Sequence, residues 1–143
     1  MRLFKTTLTV LLIALSISRA EGYQILTMEM TAYAPLDPRA KEGVCYSGNR
    51  YVTASGQRTT PGISVAMGKS VPFGTWVYIF GFGLRRVDDR GGSIGKGKID
   101  LCVWTQEQAY SIGRREVSVW ILNTPKDREI LISLLRGRGK ERK

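Results

Sequence analysis

Residues 71–104 read VPFGTWVYIFGFGLRRVDDRGGSIGKGKIDLCVW. VPFGT at 71–75 is a turn feeding an apolar strand at Trp76–Phe80. Gly81-Phe82-Gly83 turns that strand back into Leu84–Val87 as a hairpin. Ile99–Trp104 is apolar enough to be a strand in the core. Between the second strand and the third lies a glycine-rich connection, which can fold back tightly.

Working outward, Gln24–Ala34 (QILTMEMTAYA) alternates apolar and polar residues and predicts a strand, which Pro35 and Pro38 stop. Residues 36–51 are loop-like. Tyr51–Ala54 and Gly62–Ala66 predict short strands, and Val117–Leu122 the last one. One helix is well marked: Thr105-Gln106-Glu107-Gln108 fits a capping box, and Gly113 suits its end. Thr124-Pro125 starts a second helix, with Ile130, Leu131, Leu134 and Leu135 on one side and a break at Gly137. The terminal GRGKERK is expected to be disordered. Trp76, Trp104 and Trp120 have apolar neighbours and are expected in the core. Short strands at close spacing favour a small β-barrel over a sandwich.

Residues 1–20 stand apart from this domain. Arg2 and Lys5 precede an apolar run, Leu8–Ile17, and Ser18-Arg19-Ala20 has the small-x-small form of a cleavage site. That is the layout of a secretory signal peptide, with an uncleaved anchor as the alternative; either places the domain outside the cytoplasm. Net charge is +10, and the leader carries three of the cations. Residues 126–143 hold seven cations against three anions, so the high pI says more about the tail than about the fold. An anionic wall polymer is a nearer partner for such an exported chain than nucleic acid, for which no arginine–aromatic platform is present. Cys45 and Cys102 can be bridged or free in an oxidising compartment. The chain has no histidine, which removes Ser-His-Asp and Cys-His catalysis and the commonest zinc sites. Any enzymology rests on carboxylates, lysine, tyrosine or the backbone, and neither a metal nor a cofactor is expected.

The segment VDDRGGSIGKGKID at 87–100 carries the candidate chemistry. It lacks the Walker spacing and GxGxxG, and an apolar strand follows where a phosphate-binding helix would start. A calcium loop fails as well, because glycine, serine and lysine occupy the ligand positions after Asp89. Two readings stay open. Asp89 ends one strand and Asp100 starts the next, so antiparallel pairing would bring two carboxylates together and raise one pKa. Alternatively, Asp88 and Asp89 pair with Arg85, Arg86 or Arg90 at a surface turn.

Five motifs occur in order: TAYAP at 31–35, TASG at 53–56, VPFGTWVYIFGFG at 71–83, DRGGSIGKGKID at 89–100 and EQAYSIGRREVSVWIL at 107–122. Together they resemble the three-aspartate (3D) domain of bacterial cell-wall proteins, over about residues 27–122. The resemblance implies a mainly β fold: a small six-stranded double-psi β-barrel with one short helix plus a C-terminal helix. The expected division is a signal peptide at 1–20, the barrel domain at 21–125 and a basic helix and tail at 126–143. It also implies a peptidoglycan lytic transglycosylase, which cleaves the MurNAc–GlcNAc bond and leaves a 1,6-anhydro-MurNAc end. Carried over by position, Asp100 matches the general acid and base, and Asp89 its supporting partner. Thr31, Tyr33, Thr53 and Gly56 match motifs near the substrate groove, and Gly91 and Gly92 complete the expected substrate-binding set. One departure stands out: Met67 occupies the position of the first family aspartate, five residues ahead of Pro72. A non-catalytic glycan-binding module on the same barrel is therefore the rival reading. Asp88 is expected to be a bystander facing solvent or an arginine. The expected partner is the peptidoglycan glycan strand, met by an exported monomer with no transmembrane span once the leader is cleaved.

Overall fold

The structure, a computed structural model, describes residues 24–138; the expected leader and the end of the basic tail lie outside them. Its elements run β1 (Gln24–Tyr33), β2 (Ser64–Met67), β3 (Trp76–Ile79), β4 (Gly83–Asp89), β5 (Lys98–Cys102), α1 (Gln106–Ile112), β6 (Arg115–Leu122) and α2 (Pro125–Arg138). The six strands close into a barrel in the order β1-β5-β2-β4-β3-β6. Two pairs are parallel, β1 with β5 and β2 with β4, and the rest are antiparallel. Exchanging β1, β2 and β3 for β4, β5 and β6 maps this pairing onto itself, the internal two-fold expected of a double-psi barrel. Closure leaves no free sheet edge, so short strands suffice.

Alternation fills the interior. Met30 on β1, Val65 and Met67 on β2, Val87 on β4, and Ile99 and Leu101 on β5 are completely or almost completely buried in one core cluster. Each such side chain contributes roughly 1.5–3 kcal/mol by leaving water. The same period of two turns Thr31, Tyr33, Ala66 and Asp100 to the opposite face, where the candidate chemistry lies.

Both helices begin with reciprocal caps. In α1 the Thr105 hydroxyl accepts from the Gln108 amide at 3.2 Å, and Gln108 Oε1 accepts from the Thr105 amide at 3.3 Å. In α2 Thr124 and Asp127 exchange equivalent bonds at 2.8 and 3.2 Å. Helix α2 packs Leu131 on Trp120 and Leu122 of β6, while Leu134 and Leu135 stay exposed. The break expected at Gly137 does not occur; the helix continues to Arg138, since a lone glycine costs only about 1 kcal/mol inside a helix. Tyr51–Ala54 is not a strand either. It forms one isolated bridge, Val52 with Arg58, closed by the turn at 53–57. Of the tryptophans, Trp120 is buried and Trp76 packs beside it, but Trp104 lies just past β5 and is 60% exposed.

Met67 points into the barrel, fully buried and paired in register with Ile99. A carboxylate there would stand in the apolar core, on the face opposite Asp100. Met67→Asp should therefore lower stability by about 3–5 kcal/mol, and Met67→Leu by less than about 1.5 kcal/mol, read from urea denaturation midpoints.

Candidate active site

The site begins with a register shift. Strands β2 and β4 pair Ser64 with Arg86 and Val65 with Val87, and then Ala66 with Asp89, so Asp88 is an extra residue. This bulge reverses the alternation of β4 after Val87 and turns Asp89 to the face of Ala66. On the other edge of β2, Ala66 pairs with Asp100 of β5. The two carboxylates therefore flank a single alanine, across a strand that separates their own. The direct pairing of β4 with β5 expected from the sequence is replaced by this arrangement, because β2 inserts between them. Two strand spacings hold the backbones about 10 Å apart, and the small Ala66 side chain leaves the space between them open.

Asp100 is half-buried, and its Oδ1 accepts from the Thr31 hydroxyl at 2.9 Å. Burial pushes its carboxyl up to about 6; the negative charge of Asp89 adds to the rise, and the Thr31 bond opposes it. Asp89 is held very differently. Its Oδ2 accepts from the Tyr33 hydroxyl at 2.6 Å, and its Oδ1 accepts from the Ala54 amide at 3.0 Å and the Arg90 amide at 2.9 Å. Donors of this kind stabilise a carboxylate anion and fix its orientation. Tyr33 is in turn locked as a neutral phenol, its pKa raised by burial first and then by the neighbouring Cys102 and Asp89.

Asp88 does not face solvent. It is 1% exposed, and its Oδ2 accepts from Ser64 at 3.0 Å and from Arg86 at 3.1 and 2.8 Å. Burial raises its pKa in spite of these bonds. Its carbonyl accepts from the Ser55 amide at 3.0 Å. Asp88 thus anchors the bulge that aims its neighbour.

Over the two carboxylates opens a cleft of about 770 Å³, lined by Tyr33, Tyr46, Arg50, Thr53, Asp89 and Asp100 among others. Its outer wall is the long loop from Pro35 to Gly62. Arg50 pins that loop, donating to the carbonyls of Pro35 and Asp37 and stacking on Tyr46 at 5.2 Å. The buried Asp37 ties the same loop to the start of α1 by accepting from the Gln106 amide at 2.8 Å, and Arg39 holds its carboxyl well below the usual range.

The structure gathers most of the residues singled out in the sequence, in changed roles. Thr31 and Tyr33 hold carboxylates through their hydroxyls. Thr53 lines the cleft, while Gly56, with φ near +82°, shapes the turn that presents the Ala54 amide. Gly91 and Gly92 line the cleft beside Arg90. Ala54, Ala66, Arg90 and Ser64 are additional parts; only the position of Arg90, directly after Asp89, could have pointed to one of them. Lys98 faces Glu29 at 3.9 Å and is no part of the site. Cys45 and Cys102 are free thiols; Cys45 lines the cleft, and burial pushes Cys102 up to about 12. Among the described residues no group of His, Cys, Asp and Glu side chains could hold a metal ion.

A closed double-psi barrel with paired carboxylates in an open cleft defines the class. Residues 63–123 match the family model of the 3D domain. The match runs from the residue before β2 to just past β6; it includes Asp89 and Asp100 but not Thr31, Tyr33 or Thr53. That family is associated with cell-wall glycan-active proteins. No curated protein matches the chain significantly.

Asp100 holds its proton more tightly in the folded chain, about 6, than at the ordinary 3.8. Between those values the folded state carries more protons than the unfolded one, so stability falls as pH rises through that window. Asp100→Asn removes this cost. Denaturation should show the variant more stable than wild type above pH 6, by about 1–3 kcal/mol, with the two converging below pH 4.

Proposed function

We propose that this protein is a peptidoglycan lytic transglycosylase of the 3D-domain type, with Asp100 as acid and then base and Asp89 as its fixed partner. The observation that carries the reading is the contrast between the two carboxylates. Asp100, raised to about 6 beside an open cleft, is a carboxylic acid that can give its proton to a glycosidic oxygen. Asp89, its orientation fixed by three donors, is the carboxylate that faces the positive charge developing on the sugar ring. The 3D domain is found in lytic transglycosylase-like proteins.

The steps then balance without water or a protein nucleophile. Asp100 protonates the bridging oxygen as the C1–O4 bond breaks, and the GlcNAc unit leaves with a free hydroxyl. The Asp100 carboxylate takes the proton from the 6-hydroxyl of the same MurNAc. That oxygen bonds to C1, giving the 1,6-anhydro ring and restoring the acid. The partner in this reading is the glycan strand outside the cytoplasm, which residues 1–20 as a leader would serve.

The rival, a wall-glycan module without catalysis, took its support from Met67. The core position of Met67 removes it from the face of the site, so the substitution there leaves the Asp89–Asp100 pair intact.

Digestion of purified peptidoglycan with mass spectrometry of the products separates the readings. Wild type should release anhydro-muropeptides, Asp100→Asn should lose about 10²–10⁴ of the rate, and Tyr33→Phe about tenfold. Activity should fall as pH rises through about 6, where Asp100 loses its proton. Reducing-end products would replace the transglycosylase by a hydrolase, and binding without any product would establish the module.

A further inference from the structure

A second recess adjoins the cleft, about 630 Å³, lined by Lys69, Ser70, Ile94 and Lys96 and by the Arg90-Gly91-Gly92 turn. That turn also lines the carboxylate cleft, so the two recesses meet along it. No acidic residue lines the second recess. Its cations differ in their freedom. The Arg90 guanidinium is committed to the carbonyls of Asp89 and Val71 at 3.1 and 2.7 Å and lies 4.0 Å over the Phe73 ring. Lys69 and Lys96 are exposed, and neither has an ion pair among the described residues, whereas Lys98 nearby faces Glu29.

The backbone that carries these lysines is tightly built. A Cβ added to Gly68 would stand 3.0 Å from the carbonyl of Gly95, so the end of β2 and the loop before β5 pack backbone to backbone. A Cβ on Gly91 would meet Ile94 at 2.8 Å. Ile94 donates to the Gly91 carbonyl at 3.1 Å and Lys98 to the Gly95 carbonyl at 3.3 Å, closing the loop at both ends. Two free ammonium groups are thereby presented from two tightly packed segments, beside the site of bond cleavage.

We propose that this recess is a subsite for a carboxylate of the peptide stem on the glycan. The inference rests on the transglycosylase reading for its substrate. A strand whose glycosidic bond lies at Asp100 carries its own stem carboxylates, which reach the adjoining recess covalently attached. Two lysines without acidic neighbours attract such a group, and Ile94 offers an apolar contact to the stem. The subsite distinguishes stem-bearing glycan from glycan already stripped by an amidase.

The test uses the full chain with two substrates: purified peptidoglycan, and the same material after amidase removal of its stems. Sedimentation binding and product release are both measured for wild type, Lys69→Ala/Lys96→Ala and Lys69→Arg/Lys96→Arg. Wild type should favour the stem-bearing glycan. The alanine pair should weaken its binding and raise its KM about 5- to 10-fold with kcat unchanged, and match wild type on stripped glycan. The arginine pair should retain the preference, and added salt should diminish it. An equal loss on both substrates would reduce the lysines to general attraction, and no loss on either would remove the subsite. Stem-dependent binding lost in the alanine pair, without anhydro product from any form, would keep the subsite and overturn the reaction. Cleavage indifferent to stems would do the reverse.

Discussion

The bulge at Asp88 is the constraint on which the site depends. Were β4 to keep its regular alternation through Asp88 with no bulge, Asp89 would turn inward on the side of Val87 and leave Asp100 alone on the outer face. The shift is held by a buried carboxylate, which Arg86 and Ser64 satisfy on one oxygen. A buried ion pair of this kind adds little net stability, but it specifies a single register. Asp88 is thus needed for where its neighbour points.

From that placement comes the division of labour. Both carboxylates lie on one face of the same sheet, yet their surroundings differ in the number of donors. Asp89 has two backbone amides and a phenol, and Asp100 has one threonine hydroxyl with partial burial. Like charges flanking Ala66 then work against ionisation of the less supported member. The loop from Pro35 to Gly62 takes part twice, as the outer wall of the cleft and as the source of the Ala54 amide. The Thr53–Gln57 turn and the bond from the Ser55 amide to the Asp88 carbonyl hold that amide in place.

Much of this was legible in the sequence. Alternation in QILTMEMTAYA, the hairpin at Gly81–Gly83 and the capping box at Thr105 each report a local preference that the barrel respects. Asp89 and Asp100 were also legible, as acids at the two ends of a glycine-rich connection. What could not be read was the strand between them, because pairing of β2 with both β4 and β5 is a property of closure. The burial of Asp88 was hidden for the same reason: a bulge is a mismatch between two strands and leaves no mark on either. Met67 shows the limit of position matching, since its place in a motif did not tell which face of β2 it occupies. Trp104 was misplaced by composition, being an apolar residue two positions beyond the end of β5.

Burial first, and then the charge of Asp89 across Ala66, hold a proton on Asp100. Titration of the Asp100 side-chain carboxyl by carbon NMR, in wild type and in Asp89→Asn, tests this most directly. A midpoint near 6 is expected in wild type and a lower one in the variant. A wild-type midpoint near the ordinary 3.8, or one indifferent to residue 89, would contradict it.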